Sequence, residues 1–451
     1  HGSVCEDYSQ IEIPVYAIGG WADAYSNPVA RLLKNIKTPI RALVGPWGHQ
    51  YMHQVLPGPK PGFMDLAMRW WDHWLKESET GIMNEPKYRA WVQDSVKPSS
   101  CFEERLGYWA GEETWPSTNT INKTMYFRDR NLLPEGGGNS IRIVNSPQTV
   151  GRCTPFFGNM GAGDPQDPLD QRLDDSMSVC FDSAPLDKEF SILGAPAVTL
   201  EIESDKPSAF ICVRLNELRA DGSSLLVTYG ILNLTHRNSH ENIEPLEVGK
   251  RYSVQVFLND IGHTFDEGSQ IRIAVSTSFW PIVWPSPQPV KISIHTGSSH
   301  LVLPIRPRKE HDANIDHLPP AKHARVSPRT TLKDGDPTYV GSETDLKTGM
   351  LTFTYRMDTG LIKLENNGWK FSSKTENICS ILPDDPNSAT VKLSAIETFG
   401  RDEQLDVVIK ANQKMTSDET HFFINARIHV QEGEETILKR EWNEKIKRDG
   451  V

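Results

Sequence analysis

The stretch IPVYAIGGWADAYSNPVARLLKNIKTPIRALVG, Ile13 to Gly45, decides the fold. Its first eight residues are an apolar run that ends in two glycines, as a buried parallel strand does. From Ser26 the pattern changes period. Ser26 is placed to cap a helix, Pro28 suits its first turn, and Val29, Leu32, Leu33 and Ile36 recur at helical spacing. Pro39 to Gly45 is a second short apolar run. Further on, FMDLAMRWWDHWLK (Phe63 to Lys76) sets Phe63, Ala67, Trp70, Trp71 and Trp74 on one stripe, which predicts a core-facing helix. Strand, helix, strand, helix is the signature of a parallel sheet with helices on its faces.

Beyond Pro86 the periodicity shortens. YRAWVQ, KTMYFR, AVTLEIE, AFICVRLNEL, YSVQVFL and QIRIAVST alternate apolar and polar residues, with turn clusters such as Glu135 to Asn139 between them. This predicts a β-sandwich over residues 85–305. The polar, proline-rich run Arg306 to Arg329 reads as a structureless linker. From residue 330 to 451 the alternation resumes, and a second, smaller antiparallel β-domain is expected. The fold class is therefore α/β followed by β, with residues 1–84 as the α/β part.

Composition narrows the function. The net charge of −11, from 48 basic and 59 acidic residues, argues against a nucleic-acid surface. No apolar run is long enough to span a bilayer, so no membrane partner is expected. The chain starts at His1 with no signal segment behind it, which reads as a front that was processed or truncated. Cys5, Cys101, Cys153, Cys180, Cys212 and Cys379 show no CxxC spacing and suit reduced thiols in a cytoplasmic protein.

Two residues stand where a parallel sheet carries its chemistry, at the carboxyl ends of the strands. Asp23 follows the first strand in GGWADAYSN, and His49 follows the second in GPWGHQ. Neighbouring parallel strands lie about 4.8 Å apart, so loops at their tips can bring a carboxylate onto an imidazole. Such a pair fixes the tautomer and leaves the far ring nitrogen free to take a proton from a nucleophile. On spacing alone the pairing competes with plainer readings, an aspartate cap and a surface histidine. HQYMH (His49 to His53) has two histidines four apart but lacks the glutamate and the helix of a zinc site. The acidic run Gly163 to Asp175 lacks EF-hand spacing and reads as a solvated connector. No metal and no cofactor is expected.

The chain resembles the cocaine-esterase-like hydrolases, relatives of X-prolyl dipeptidyl aminopeptidase and of the cephalosporin and α-amino-acid ester acylases. IPVYAIGGWADAYSNP, IKTPIRALVGPWGHQ and DLAMRWWDHWLK are similar to the closing part of their catalytic α/β-hydrolase domain. Asp170 to Pro207, Val213 to Ser224 and His263 to Pro281 resemble their jelly-roll domain. Arg440 to Val451 resembles the end of members with a further β-domain. The resemblance implies a serine hydrolase working by acyl transfer on a small ester, amide or peptide, X-Pro dipeptides included. It makes Asp23 the triad acid and His49 the triad base, and sets Trp21 and Trp47 beside them as candidate walls of a substrate pocket.

One departure is large. The nucleophile elbow G-x-S-x-G or G-x-S-x-x-G is absent; TGSSHL and DGSSLL lie in β-rich segments and lack the second glycine. In the family the serine, the oxyanion-hole tyrosine and the helical cap all precede the acid. The expectation is the rear part of a longer or split hydrolase, inactive as an isolated chain, partnered by a missing N-terminal segment or by further copies of itself. The competing reading is a non-catalytic β-sandwich protein that presents a surface to a carbohydrate or another partner.

Overall fold

A computed structural model describes residues 7–154, 166–315, 318–322, 325–401 and 404–450. Cys5, residues 163–165 of the acidic run, positions 316, 317, 323 and 324 of the expected linker, and Val451 lie outside the described residues.

Strand β1 (Val15–Gly20) and strand β2 (Ile40–Gly45) pair in parallel, with Gly20 beside Gly45 at their carboxyl ends. Helix α1 (Ser26–Asn35) makes the crossover between them. It buries Val29, Ala30 and Leu33, and packs with Ala17, Ala42 and Val44 into one apolar cluster. Burial of the Val29 and Leu33 chains contributes ~1.5–3 kcal/mol each. Ser26 is the first helical residue and not the cap. Tyr25 holds the cap position without a side-chain bond, and its N–H donates to Asp23 Oδ1 at 2.8 Å.

Helix α2 (Phe63–Lys76) has the expected bounds but a different buried face. Of the five residues in the expected stripe only Trp70 is buried, next to Leu66. Met64, Met68, Trp71 and Leu75, spaced four, three and four apart, are 51–74% exposed. The apolar arc covers more than half of the helix circumference, and the sheet covers only one side of it.

Strand β3 (Tyr88–Gln93) continues the parallel sheet beside β2, and β4 (Gly107–Glu112) joins it antiparallel. The parallel sheet therefore runs on past residue 84. At Gln93 it meets the strand Ile261–Phe265, so that sixteen strands form one connected sheet. The antiparallel strands between Ile121 and Ile305 enclose the main core, where Phe127 stacks on Phe181 at 4.3 Å among Ile192, Val213, Ile273 and Leu301.

The run expected as a structureless linker is pinned in place. Arg306 is fully buried, donating to Glu112 Oε1 at 2.8 Å and to Asp312 Oδ1 at 2.8 Å. Pro319 O accepts the Gly62 N–H ahead of α2, and Lys322 pairs with Asp65 at 2.9 Å. Its charges find partners inside the protein, which the polar composition did not reveal. The described part of the acidic run, 166–175, likewise turns inward instead of forming a solvated connector. Asp174 accepts the Cys153 N–H, and Asp175 binds Arg214 at 2.9 Å as well as Asn216 and Ser224, all buried.

Nine antiparallel strands from Arg329 to Lys447 form the second sheet. Trp280 and Trp284 anchor one end of it, with Trp284 Nε1 donating to Ser417 Oγ at 2.9 Å and Trp280 packing beside Leu351 and Phe353. No described helix is long and apolar enough to cross a membrane.

Candidate active site

The tips of β1 and β2 meet at a tight crossing. The Trp21 N–H donates to Gly45 O and the Ala22 N–H to Trp47 O, which ties the two loops together. Glycine is required on both strands. A Cβ at Gly20 would stand 2.0 Å from Trp47 O, and one at Gly45 would stand 2.3 Å from the Trp47 ring. The glycines that end both strands thus make room for the loop that carries His49.

At this crossing the structure brings Asp23 and His49 together. His49 Nδ1 lies 3.1 Å from Asp23 Oδ2 and 3.2 Å from Oδ1. The Tyr25 N–H also donates to Asp23 Oδ1, at 2.8 Å, and the Tyr25 ring lies 5.3 Å from the imidazole. The His49 side chain is 48% exposed and that of Asp23 15%. Nε2 of His49 makes no hydrogen bond among the described residues, and about half of the side chain is in solvent. A bifurcated carboxylate on Nδ1 with Nε2 free is the arrangement that can accept a proton from an approaching hydroxyl.

The pair opens onto a groove of about 560 Å³ lined by Gly20, Trp47, Gln50, Tyr51, Met52 and Phe63. Trp47 is 2% exposed, and its Nε1 donates to Pro59 O at 2.7 Å, so the indole is a fixed wall. Trp21 is not in the lining of this groove. Its Nε1 donates to Trp91 O at 2.6 Å, and it lines a neighbouring cavity of about 330 Å³ with Asp23, Asp260 and His263. Burial pushes the Asp260 carboxyl up to about 7. Tyr25 beside the imidazole and Tyr51 at the groove escaped the sequence reading, and Phe63, read there as a core-facing helix residue, lines the groove. Tyr25 sits two residues after Asp23, which was the only signal available. His53 stands apart from His49, stacked on Phe63, and no group of three or more metal-capable side chains occurs among the described residues.

Residues 80–327 match the family described as the X-Pro dipeptidyl-peptidase C-terminal non-catalytic domain, and residues 1–51 match X-Pro dipeptidyl-peptidase of the S15 family. A putative serine esterase of Mycobacterium tuberculosis is 25% identical over 290 residues, covering 58% of this chain and 44% of the relative. Cocaine esterase of Rhodococcus is 22% identical over 307 residues, covering 62% and 51%. The chain thus spans about half the length of these curated relatives, or less. Among solved structures, an aminopeptidase from a marine sediment Thaumarchaeota archaeon superimposes with a TM-score of 0.53 at 16% identity, covering 66% of this chain and 55% of that one. An α-amino acid ester hydrolase gives 0.53 at 17%, covering 67% and 57%. At these identities the likeness is one of fold.

Proposed function

The chain belongs to the X-Pro dipeptidyl-peptidase family of serine hydrolases, and from that premise we propose that Asp23 and His49 are the acid and base of an acyl-transfer site whose serine comes from outside these 451 residues. The observation that carries the proposal is the 3.1 Å contact at two neighbouring strand tips, with Nε2 left free. In the reaction the serine hydroxyl attacks an ester or amide carbonyl, and its proton passes to His49 Nε2. Asp23 holds the ring in the tautomer that leaves Nε2 basic and offsets the positive charge as the imidazolium forms. The same Nε2–H then protonates the leaving alcohol or amine. In the second half His49 draws a proton from water, and the resulting attack releases the acid and restores the serine. Trp47 walls the groove in which the substrate lies, and Trp21 braces the Asp23 loop. The antiparallel strands from Ile121 to Ile305 are read as a jelly roll that backs this corner through Trp21.

A fluorophosphonate probe tests the proposal, since it reacts only with an activated serine. The native protein isolated from its source takes the label, and the 451-residue chain alone does not. Native protein that labels no more than a heat-denatured control overturns the reading.

A further inference from the structure

The two faces of the C-terminal sheet differ sharply in character. Thr390–Arg401, Leu405–Ser417, His421–Glu432 and Glu435–Lys447 are adjacent antiparallel strands, and the first three pair without a register break. Residues paired across strands share a face. One face therefore carries Leu393, Ala395, Ile409, Ala411, Ile428 and Val430. The other carries Lys392, Lys410, Lys414, Arg427, Lys439 and Lys445, all exposed. Against them these four strands set only Glu441 and, at the far end of its strand, Asp406 on that face among the described residues. None of the six cations has a carboxylate partner within salt-bridge distance among the described residues; Lys445 lies over the Phe423 ring.

This pattern runs against both composition and stability. The protein as a whole is strongly acidic. Lys392 nevertheless stands directly opposite Lys414 in the ladder. Like charges in that relation destabilise a sheet, and a lysine–glutamate pair at the same spacing would stabilise it. A local arrangement that gives up stability for a concentrated charge points to a ligand of opposite sign.

The face is also concave. A depression of about 430 Å³ is lined by Lys392, Ser394, Asn412, Lys414, Asn425 and Arg427. It shares Glu376, Ser394 and Asn412 with a second of about 560 Å³ that reaches Tyr339, Lys410, Asp336 and Asp358; the three carboxylates are already paired, Glu376 with Arg356 and the two aspartates with Lys374. Together they make one trough running across the strands.

We propose that this trough binds an acidic polysaccharide. A trough suits a linear chain better than a bilayer, and cations interleaved with hydroxyl and amide side chains suit a polymer that carries hydroxyls between its charges better than a polyphosphate. Hydroxyl and amide groups, Ser394, Asn412, Asn425 and Asn443, alternate with the cations and match a ligand that presents hydroxyls between carboxylates. The strands repeat every ~4.8 Å, which is close to the length of one sugar unit, so successive carboxylates can meet successive strands. The proposal does not depend on the acyl-transfer site.

Calorimetric titration of the 451-residue chain tests it, with oligogalacturonate as ligand and dextran, polyglutamate, duplex DNA and phosphatidylserine vesicles as comparisons. Oligogalacturonate binds saturably and more tightly than the other four, and added salt weakens it. The double variant K392Q/K414Q loses affinity about tenfold or more, while its melting temperature stays level or rises as the lysine–lysine repulsion goes. Arg440→Gln, on the opposite face, binds as the parent does. Absence of saturable oligogalacturonate binding, equal or tighter binding of polyglutamate, DNA or vesicles, or a K392Q/K414Q variant that is folded and binds unchanged overturns the proposal.

Discussion

Two carboxylate–imidazole pairs of similar geometry serve opposite ends. Asp23 and His49 meet at 3.1 Å in a groove open to solvent, while Glu217 and His263 meet at 2.9 Å with side chains 0% and 2% exposed. Distance does not separate them. Surroundings do. Glu217 also accepts the Asp266 N–H at 2.9 Å, and the His263 ring stands edge-on to Phe265 at 4.9 Å, so the buried pair is locked by backbone and packing. The exposed pair keeps a ring nitrogen free for a reacting group. A carboxylate beside an imidazole becomes a proton shuttle only where an acceptor nitrogen remains accessible.

The contrast breaks most directly at the exposed pair. His49→Ala, made in the native hydrolase, lowers kcat at least ~1,000-fold because triad members act as a unit. Melting of the same variant moves little, since the imidazole is half in solvent and makes no other hydrogen bond. Steady-state kinetics beside a thermal scan reads both, and a loss below tenfold removes His49 from the reaction.

The buried pair responds in stability instead of rate. Glu217→Ala leaves the His263 ring nitrogen and the Asp266 N–H without an acceptor in the interior, at a cost of roughly 2–4 kcal/mol in stability. Probe labelling of the folded fraction stays unchanged. The pH dependence carries a sign. Burial by itself raises the Glu217 carboxyl, but hydrogen bonds from His263 and the Asp266 N–H outweigh it and hold the carboxyl below its ordinary value. A depressed carboxyl stabilises the fold above its unfolded pKa, and the contribution is lost as pH falls through the lower folded value. The gap between parent and variant is therefore widest at neutral pH and closes on acidification below about 4. Urea titrations at several pH values measure it; a gap that widens in acid assigns the pair the wrong way round.

The exposed pair was legible because its position follows from local rules. Two apolar runs, each ended by glycine, with a helix between them, are enough to put Asp23 and His49 at adjacent strand tips. The buried pair was not legible, since Glu217 and His263 lie 46 residues apart on strands whose pairing depends on the whole sandwich. The same limit explains the strap. Arg306, Glu112 and Asp312 look solvated in sequence, and only the tertiary fold closes a shell around them. In α2 the helical period was correct, but an apolar arc wider than the buried face does not say which of its residues meets the sheet. The two-faced C-terminal sheet was written in the alternation itself, yet the register that sets Lys392 against Lys414 was not.

The smallest effect belongs to that helix and sharpens the contrast between exposed and buried groups of one chemistry. Trp70 and Trp71 are neighbours in sequence, separated by one step of about 100° around the helix axis. Trp70 is 3% exposed beside Tyr16, while Trp71 is 53% exposed. Trp70→Ala opens a cavity against the sheet and costs ~3–5 kcal/mol. Trp71→Lys removes apolar surface that already faces water, and changes the stability of the 451-residue chain by less than ~0.5 kcal/mol. Guanidinium unfolding of the two variants compares them in one experiment. A cost above about 2 kcal/mol for Trp71→Lys would mean that the second indole is packed in solution, and the outer side of α2 would then join the core as the aromatic stripe in the sequence first suggested.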